Sequence, residues 1–201
     1  MRSNLAQVVL TLCKLGIEDL VHFDFIDPPS PETMMRALEL LNYIGALSDE
    51  GKLTELGDEM CQYPLDPQLA KMLLSGVESG CGGEMLSIVS MLSVPNAFLR
   101  PKESQRQADR AKSEFTHPQG DHMTLLNVFE SFLFQREDKD WCWKNFLNIR
   151  TLKSAKDVRN QLERIVLASG KTCDIAATRS KDHIIKIKKA ILSGYFMQVA
   201  H

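Results

Sequence analysis

The sequence lacks the short motifs that mark nucleotide hydrolysis, zinc binding and disulfide frameworks. No G-x-x-x-x-G-K-[ST] loop occurs, and the glycine cluster at residues 80–84 has neither the Lys nor the Ser or Thr that hold phosphates and magnesium. The five cysteines are odd in number and include no C-x-x-C pair. We therefore expect no ATP hydrolysis by this chain alone, and cysteines that serve as small apolar core residues.

Long apolar runs are also missing. No run approaches the roughly 18–20 residues that a membrane span needs, so we expect no membrane contact. The N-terminal stretch differs from a signal peptide because polar residues interrupt it and no small-x-small cleavage site follows. An amphipathic helix in an intracellular protein is the better interpretation.

No group of side chains predicts catalysis or metal binding. His117, Asp121 and His122 lie close together in the sequence, but Pro118 and Gly120 leave their geometry undefined. Asp121 is better explained as the N-cap of the helix that follows. The sequence therefore yields no catalytic residue, no metal site and no cofactor for this chain.

Charge is distributed unevenly along the chain. Residues 1–66 carry 4 Lys and Arg against 12 Asp and Glu, a net charge of −8, whereas residues 141–201 carry 12 against 4, a net charge of +8. The basic tail suits a phosphate backbone and the acidic head does not. The alternative is that these charges only solvate exposed helix faces.

Helical patterns dominate and predict a mainly helical, all-α fold. Residues 1–66 fit a winged-helix domain: two helices, a tight turn at Gly51, a very short strand at Lys52–Leu53, and a short helix capped by Thr54. Ser30 is expected to cap the second helix. At the next boundary Asp66 is expected to cap a helix that begins at Pro67, and residues 67–201 then fit a helical bundle.

Six cations in the basic tail are candidates for RNA binding. They lie on two predicted helices, whose apolar stripes would face the core, and such helices can hold a nucleic-acid backbone without reading bases. The candidates are Arg150, Lys153, Lys156, Arg159, Lys186 and Lys189. Aromatic residues such as Trp141 and Trp143 either stack on bases or fill the core.

The helix from Pro31 to Ile44 has a wider apolar arc than one packing face requires. Ala37, Leu41 and Ile44 form the expected core stripe, and Met34, Met35 and Leu38 form a second one. Methionines are flexible and polarizable, which suits them to receive an apolar partner helix. The alternative is that the helical bundle covers this second stripe.

Long stretches of the chain resemble DEAH-box RNA helicases. RSNLAQVVLTLCKLGIEDLVHFDFIDPP, ALELLNYIGALSDEGKLTELGDEM and YPLDPQLAKML resemble their winged-helix domain. GCGGEMLSIVSMLSVPNAFLRP, GDHMTLLNVFESF, WCWKNFLNIRTLKSAKDVRNQLERI and IKKAILSGYFMQVA resemble the ratchet-like helical bundle that follows it. Within the family, the chain is most similar to the pre-mRNA-splicing members that dismantle spent spliceosomes and also serve ribosome biogenesis.

The resemblance implies a parent ATP-dependent RNA helicase whose RecA-like domains bind ATP and Mg²⁺ and whose OB-fold follows this region. It implies a nuclear protein in which this chain lines a channel for single-stranded RNA. It also implies a G-patch activator protein docked on the winged helix, with Met34, Met35 and Leu38 as the expected contacts. A DNA-binding winged-helix regulator is the alternative, although Arg36 is the only cation of its recognition helix.

Overall fold

Helices make up most of the computed structural model, which describes residues 5–17, 19–20, 23–173 and 180–198. The α-helices of these residues are α1 (Leu5–Lys14), α2 (Pro31–Tyr43), α3 (Glu55–Met60), α4 (Pro67–Glu78), α5 (Gly82–Leu92), α6 (Gln105–Phe115), α7 (Asp121–Phe134), α8 (Lys139–Lys144), α9 (Ile149–Ala168) and α10 (Lys181–Tyr195). Short 3-10 helices precede α6 and follow α10. The prediction of a mainly helical fold is confirmed. None of the described helices is both long and apolar enough to cross a membrane.

The wing of the predicted winged helix is reduced to one β-bridge. This bridge joins Leu47 to Leu53 across the turn at Gly51, whose φ of 78° is one that glycine adopts at little cost. The backbone N–H of Ser48 donates to the carbonyl of Lys52 at 2.8 Å. The predicted strand at Lys52–Leu53 is therefore present only as a single paired residue.

Two of the predicted helix caps are confirmed by their hydrogen bonds. The Ser30 hydroxyl accepts from the backbone N–H of Thr33 at 3.3 Å at the start of α2. The Thr54 hydroxyl accepts from the N–H of Gly57 at 3.0 Å at the start of α3. Each hydroxyl thus satisfies one of the backbone donors that a helix start leaves without an intrahelical partner.

Two other predicted helix caps, the side chains of Asp66 and Asp121, do not cap their helices. Asp66 occupies the N-cap position of α4, but its side chain accepts no capping hydrogen bond. The start of α4 depends instead on Pro67, whose ring fixes φ in the helical range. Asp121 is the first residue of α7 rather than its cap, and Gly120 occupies the cap position with a φ of 114°.

The chain divides into two compact units that do not follow the sequence order. Unit 1 comprises Met1–Ser79 and Ser180–His201, and unit 2 comprises Gly80–Arg179. The division differs from the predicted boundary after residue 66, because α10 returns to pack on α4. That boundary, which concerns domains along the sequence, stays a prediction.

In unit 1, α1 packs on α2 and α10 packs closely on α4. The crossing of α4 and α10 depends on Gly194, because a Cβ there would overlap the carbonyl of Gln68 and lie 2.7 Å from Met72 Cγ. The Gln68 side-chain amide also donates to the Gly194 carbonyl at 2.8 Å. Glycine thus permits the helices to approach closely.

In unit 2, α5 packs against both α7 and α9. Its residues from Gly82 to Met91 are all buried. Beside α5 lies an apolar cluster contributed mainly by α7, α8 and α9, with Phe129 and Phe132 among its fully buried side chains. A bridge between Phe98 and Leu147 ties the loop after α5 to the segment before α9.

Candidate nucleic-acid and partner surfaces

Helix α9 carries four of the six predicted RNA-binding cations. Its start is fixed by Asn148, whose side-chain oxygen accepts from the backbone N–H groups of Arg150 and Thr151 at 3.1 and 3.4 Å. Its inward face has the four buried apolar residues Leu152, Ala155, Leu162 and Val166. Val158 and Ile165, which also belong to the apolar stripe of this helix, are only half-buried.

Arg150 and Lys153 lie at the exposed start of α9. Neither side chain forms a hydrogen bond or an ion pair with any residue that the structure describes. An exposed cation without a carboxylate partner keeps its full charge for an external anion. These two residues therefore remain predicted RNA contacts.

The other two cations of α9 are already engaged within unit 2. Lys156 donates to the carboxylate of Glu137 in an ion pair. Arg159 has a side chain only 12% exposed, and its Nε donates to the Ser87 hydroxyl of α5 at 3.2 Å. Its Nη1 donates to Glu163 at 3.2 Å. The Arg159 guanidinium thus joins α9 to α5, and its role as an RNA contact stays a prediction.

The remaining predicted cations, Lys186 and Lys189, lie on α10 in unit 1. Both are exposed, and no hydrogen bond or ion pair with a described residue occupies their ammonium groups. The buried face of α10 consists of His183, Ile187, Ala190 and Gly194. The two lysines therefore remain predicted RNA contacts, on a different unit from α9.

The two tryptophans of α8 have opposite environments. Trp141 is half-buried and packs edge-on against Phe115, with ring centroids 5.9 Å apart. Trp143 is 81% exposed. Residues two apart on a helix point in different directions, so this spacing signals that only one of them fills the core. Nothing in the spacing identifies Trp143, rather than Trp141, as the exposed ring.

The predicted partner stripe on α2 needs a correction at Met34. Met34 is only 8% exposed and shares the buried face of α2 with Ala37 and Leu41, three and seven residues on. This face is available to α1, which packs on α2. Met35 is 61% exposed and Leu38 is half-buried, so these two residues remain candidates.

The exposed side of α2 continues into an open, acidic cavity. Tyr43 is exposed eight residues after Met35, on the same side of the helix, and sequence reasoning missed it. A cavity of about 430 Å³ is lined by Leu38 and Tyr43 and by the acidic side chains of Glu39 and Asp49, among others. Apolar and acidic groups thus share one surface, which suits a basic amphipathic partner.

Two properties of the thiols and imidazoles bear on function, their metal-binding geometry and the shifts of their pKa. No group of three or more His, Cys, Asp or Glu residues is placed to hold a metal ion there. Burial raises the pKa of the Cys13 and Cys61 thiols, which keeps them protonated at neutral pH. Burial also lowers the pKa of His122, which favours its neutral imidazole.

Comparison with known proteins gives one consistent family. Residues 37–65 match the winged-helix model of the helicase-associated domain (HA2), and residues 66–125 match the ratchet-like model of that domain. These matches identify residues 37–125 as the winged-helix and ratchet-like parts of an HA2 domain. The HA2 chain is also 44% identical, over 199 residues, to the pre-mRNA-splicing factor ATP-dependent RNA helicase prp22 of Schizosaccharomyces pombe.

The alignment with that helicase covers 99% of this HA2 chain and 17% of the relative. The chain thus spans about a sixth of the curated relative that it matches. The two family models meet between residues 65 and 66, inside the loop before α4. The predicted resemblance to winged-helix and ratchet-like helicase-associated domains is therefore confirmed by the two family models.

Proposed function

We propose that this HA2 region contacts single-stranded RNA as an accessory part of a DEAH-box ATP-dependent RNA helicase that acts in pre-mRNA splicing. The observation that carries the proposal is the pair Arg150 and Lys153, exposed and without carboxylate partners at the start of α9. Two such cations bind phosphates without selecting a base sequence. The exposed ring of Trp143, one helix earlier, supplies a surface on which a base can stack.

The parent protein in this proposal carries the motor elsewhere. Its RecA-like domains bind ATP and Mg²⁺, an OB-fold follows this region, and the whole acts in the nucleus. Spliceosome disassembly and ribosome biogenesis are the proposed processes. Support comes from the 44% identity to a protein named as a splicing factor and RNA helicase.

A salt series tests the RNA contact. Arg150→Gln with Lys153→Gln removes two phosphate contacts, so the slope of log affinity against log salt should flatten by about 1.4. Affinity should fall equally for two unrelated single-stranded RNAs. The matched control is Arg36→Gln with Lys52→Gln, because these cations already pair with Glu32 and Glu50.

The control variant removes the same formal charge from the chain, so it separates local contact from net charge. If the α9 variant and the control weaken RNA binding equally, the effect is one of overall charge and the α9 contact is refuted. If neither variant changes the slope, these cations only solvate the helix.

We further propose that the exposed face of α2 receives a G-patch activator. Met35, Leu38 and Tyr43 supply apolar surface, and the neighbouring Glu39 and Asp49 carboxylates complement a basic partner helix. Met35→Asp should weaken activator binding by roughly tenfold or more, about 1.4 kcal/mol, without unfolding the chain. Normal binding by a folded Met35→Asp variant would remove this face from consideration.

The alternative of a DNA-binding winged-helix regulator gains no support from the geometry. Arg36, the only cation of α2, forms an ion pair with Glu32 one turn earlier on the same helix. Its charge is therefore partly neutralised within the helix that would have to enter the major groove. Binding of this chain to duplex DNA, tighter than to single-stranded RNA in the same salt series, would reverse this conclusion.

A further inference from the structure

Unit 2 has an open cavity of about 530 Å³ that is distinct from the basic start of α9. Its walls come from the end of α6, from α7, and from α8 with the residue that follows it. The lining residues on which the inference depends are Glu114, Asn127, Glu130, Phe134, Trp141 and Asn145. No Lys or Arg is among the residues that line it. The Glu114 carboxylate therefore has no lysine or arginine beside it in the lining.

Two amide side chains of the lining, Asn127 and Asn145, have oxygens that can accept hydrogen bonds. Asn127 donates its Nδ2 to the carbonyl of Phe115 at 3.1 Å, and Asn145 donates its Nδ2 to the carbonyl of Trp141 at 2.9 Å. Each side-chain oxygen then remains without a donor in the described structure. Each amide oxygen can therefore accept a hydrogen bond from a ligand, while each amide nitrogen keeps a second N–H.

These two amides combine with two carboxylates, Glu114 and Glu130, in the same lining. Glu114 is exposed and forms no ion pair with a described residue. The Glu114 carboxylate and the two amide oxygens around one cavity favour a ligand with several hydrogen-bond donors. They also repel phosphate, which argues against a second RNA contact at this place.

Two aromatic rings complete the cavity. Trp141 is held edge-on against Phe115, at an interplanar angle of 79°, so its orientation is fixed by packing. Phe134, at the end of α7, is 85% exposed. A phenyl ring left in water beside a concave surface gains stability when a partner covers it.

We propose that this cavity binds an arginine side chain of a partner protein, an interaction separate from the RNA contact. A guanidinium group has five N–H donors in one plane, pairs with carboxylates and stacks on aromatic faces. A lysine ammonium matches fewer of these features. The arginine belongs to a basic segment with an apolar neighbour that covers Phe134.

The two tryptophans of the chain allow a direct test. Trp141 lines the cavity, whereas Trp143 does not and serves as an internal reference. The probes are the capped peptide Leu-Arg-Leu and its counterpart with citrulline, the neutral analogue of arginine. Titration into the ¹⁵N-labelled chain should shift the Trp141 indole resonance, leave that of Trp143 in place, and show at least tenfold weaker binding for the citrulline peptide.

Three variants locate the contact. Glu114→Gln should weaken the arginine peptide about tenfold and leave the citrulline peptide unchanged, because only the charged partner is lost. Phe134→Ala should weaken both peptides. Glu103→Gln, on an exposed residue outside the lining, is the matched control and should change neither. Because Glu114 and Phe134 are exposed, the variants should remain folded.

Several outcomes would overturn the proposal. Equal affinity for the two peptides, no shift of Trp141, or shifts of both indoles would show that no arginine site exists. A shift of Trp141 with protein concentration alone would assign the cavity to a second copy of the chain. A shift on adding single-stranded RNA would assign it to nucleic acid. Loss of RNA binding in the α9 variant tests the RNA proposal independently, since neither peptide requires Arg150 or Lys153.

Discussion

Replacing Gly194 with alanine tests whether α10 packs on α4 as described. A new Cβ would overlap the Gln68 carbonyl and lie 2.7 Å from Met72 Cγ, where ordinary contacts begin near 3.4 Å. The helices must therefore move apart, which costs about 1–3 kcal/mol as overpacking. The same movement lengthens the 2.8 Å hydrogen bond from Gln68 to the Gly194 carbonyl, a further loss of about 0.5–1.5 kcal/mol.

One effect opposes this destabilisation. Alanine favours a helix over glycine by about 1 kcal/mol, so the net decrease in the free energy of unfolding should be roughly 0.5–3.5 kcal/mol. Chemical denaturation followed by far-ultraviolet circular dichroism would measure it. The matched control is Ser193→Ala, one residue earlier, which adds no atom to the crossing and removes only a half-buried hydroxyl that donates to the Ala190 carbonyl at 2.7 Å. If the Gly194→Ala variant is as stable as the parent chain, the added methyl group meets no steric overlap, and the close crossing of α4 and α10 is refuted.

Three further predictions follow from the corrected roles of individual residues. Arg159→Ala should lower the free energy of unfolding by about 1–3 kcal/mol and leave the salt dependence of RNA binding unchanged. A stable variant with a flatter salt slope would show that Arg159 contacts RNA. Met34→Asp should unfold unit 1, whereas Met35→Asp should not, because only Met34 is buried. Limited digestion with trypsin measures this difference, and equal resistance of the two variants to trypsin would contradict the burial of Met34. Thr54→Ala should lower the free energy of unfolding, measured by thermal melting, by about 0.5–2 kcal/mol. Asp66→Ala should lower it less, because only the Thr54 side chain accepts a capping hydrogen bond. Equal decreases for the two variants would refute this distinction.

The local features of the fold were predictable from the sequence because their causes are local. Ser30 and Thr54 cap helices through residues three positions away, so the spacing alone identifies them. The left-handed turn at Gly51 has the same origin. Family membership was also predictable, since whole segments of the chain match in order.

The placement of the candidate surfaces was less predictable because it depends on distant residues. Arg159 looks like a free cation until Ser87, 72 residues earlier in the chain, is brought beside it. On α2 the apolar arc was too wide to show which methionine faces the core, and only the packed structure shows that Met34 is buried and Met35 exposed. The arginine cavity takes its walls from three helices, and no spacing along one helix reveals it.

The return of α10 to α4 means that unit 2 is an insertion within unit 1, and this has a consequence during synthesis. Gln68 leaves the ribosome 126 residues before Gly194. At about 5–20 residues per second, that interval lasts roughly 6–25 s. Throughout it, the apolar side of α4 lacks its final partner while the inserted unit is being made. The nascent chain therefore completes unit 2 before unit 1. A chain truncated just before α10 would contain all of unit 2, but it would lack part of unit 1.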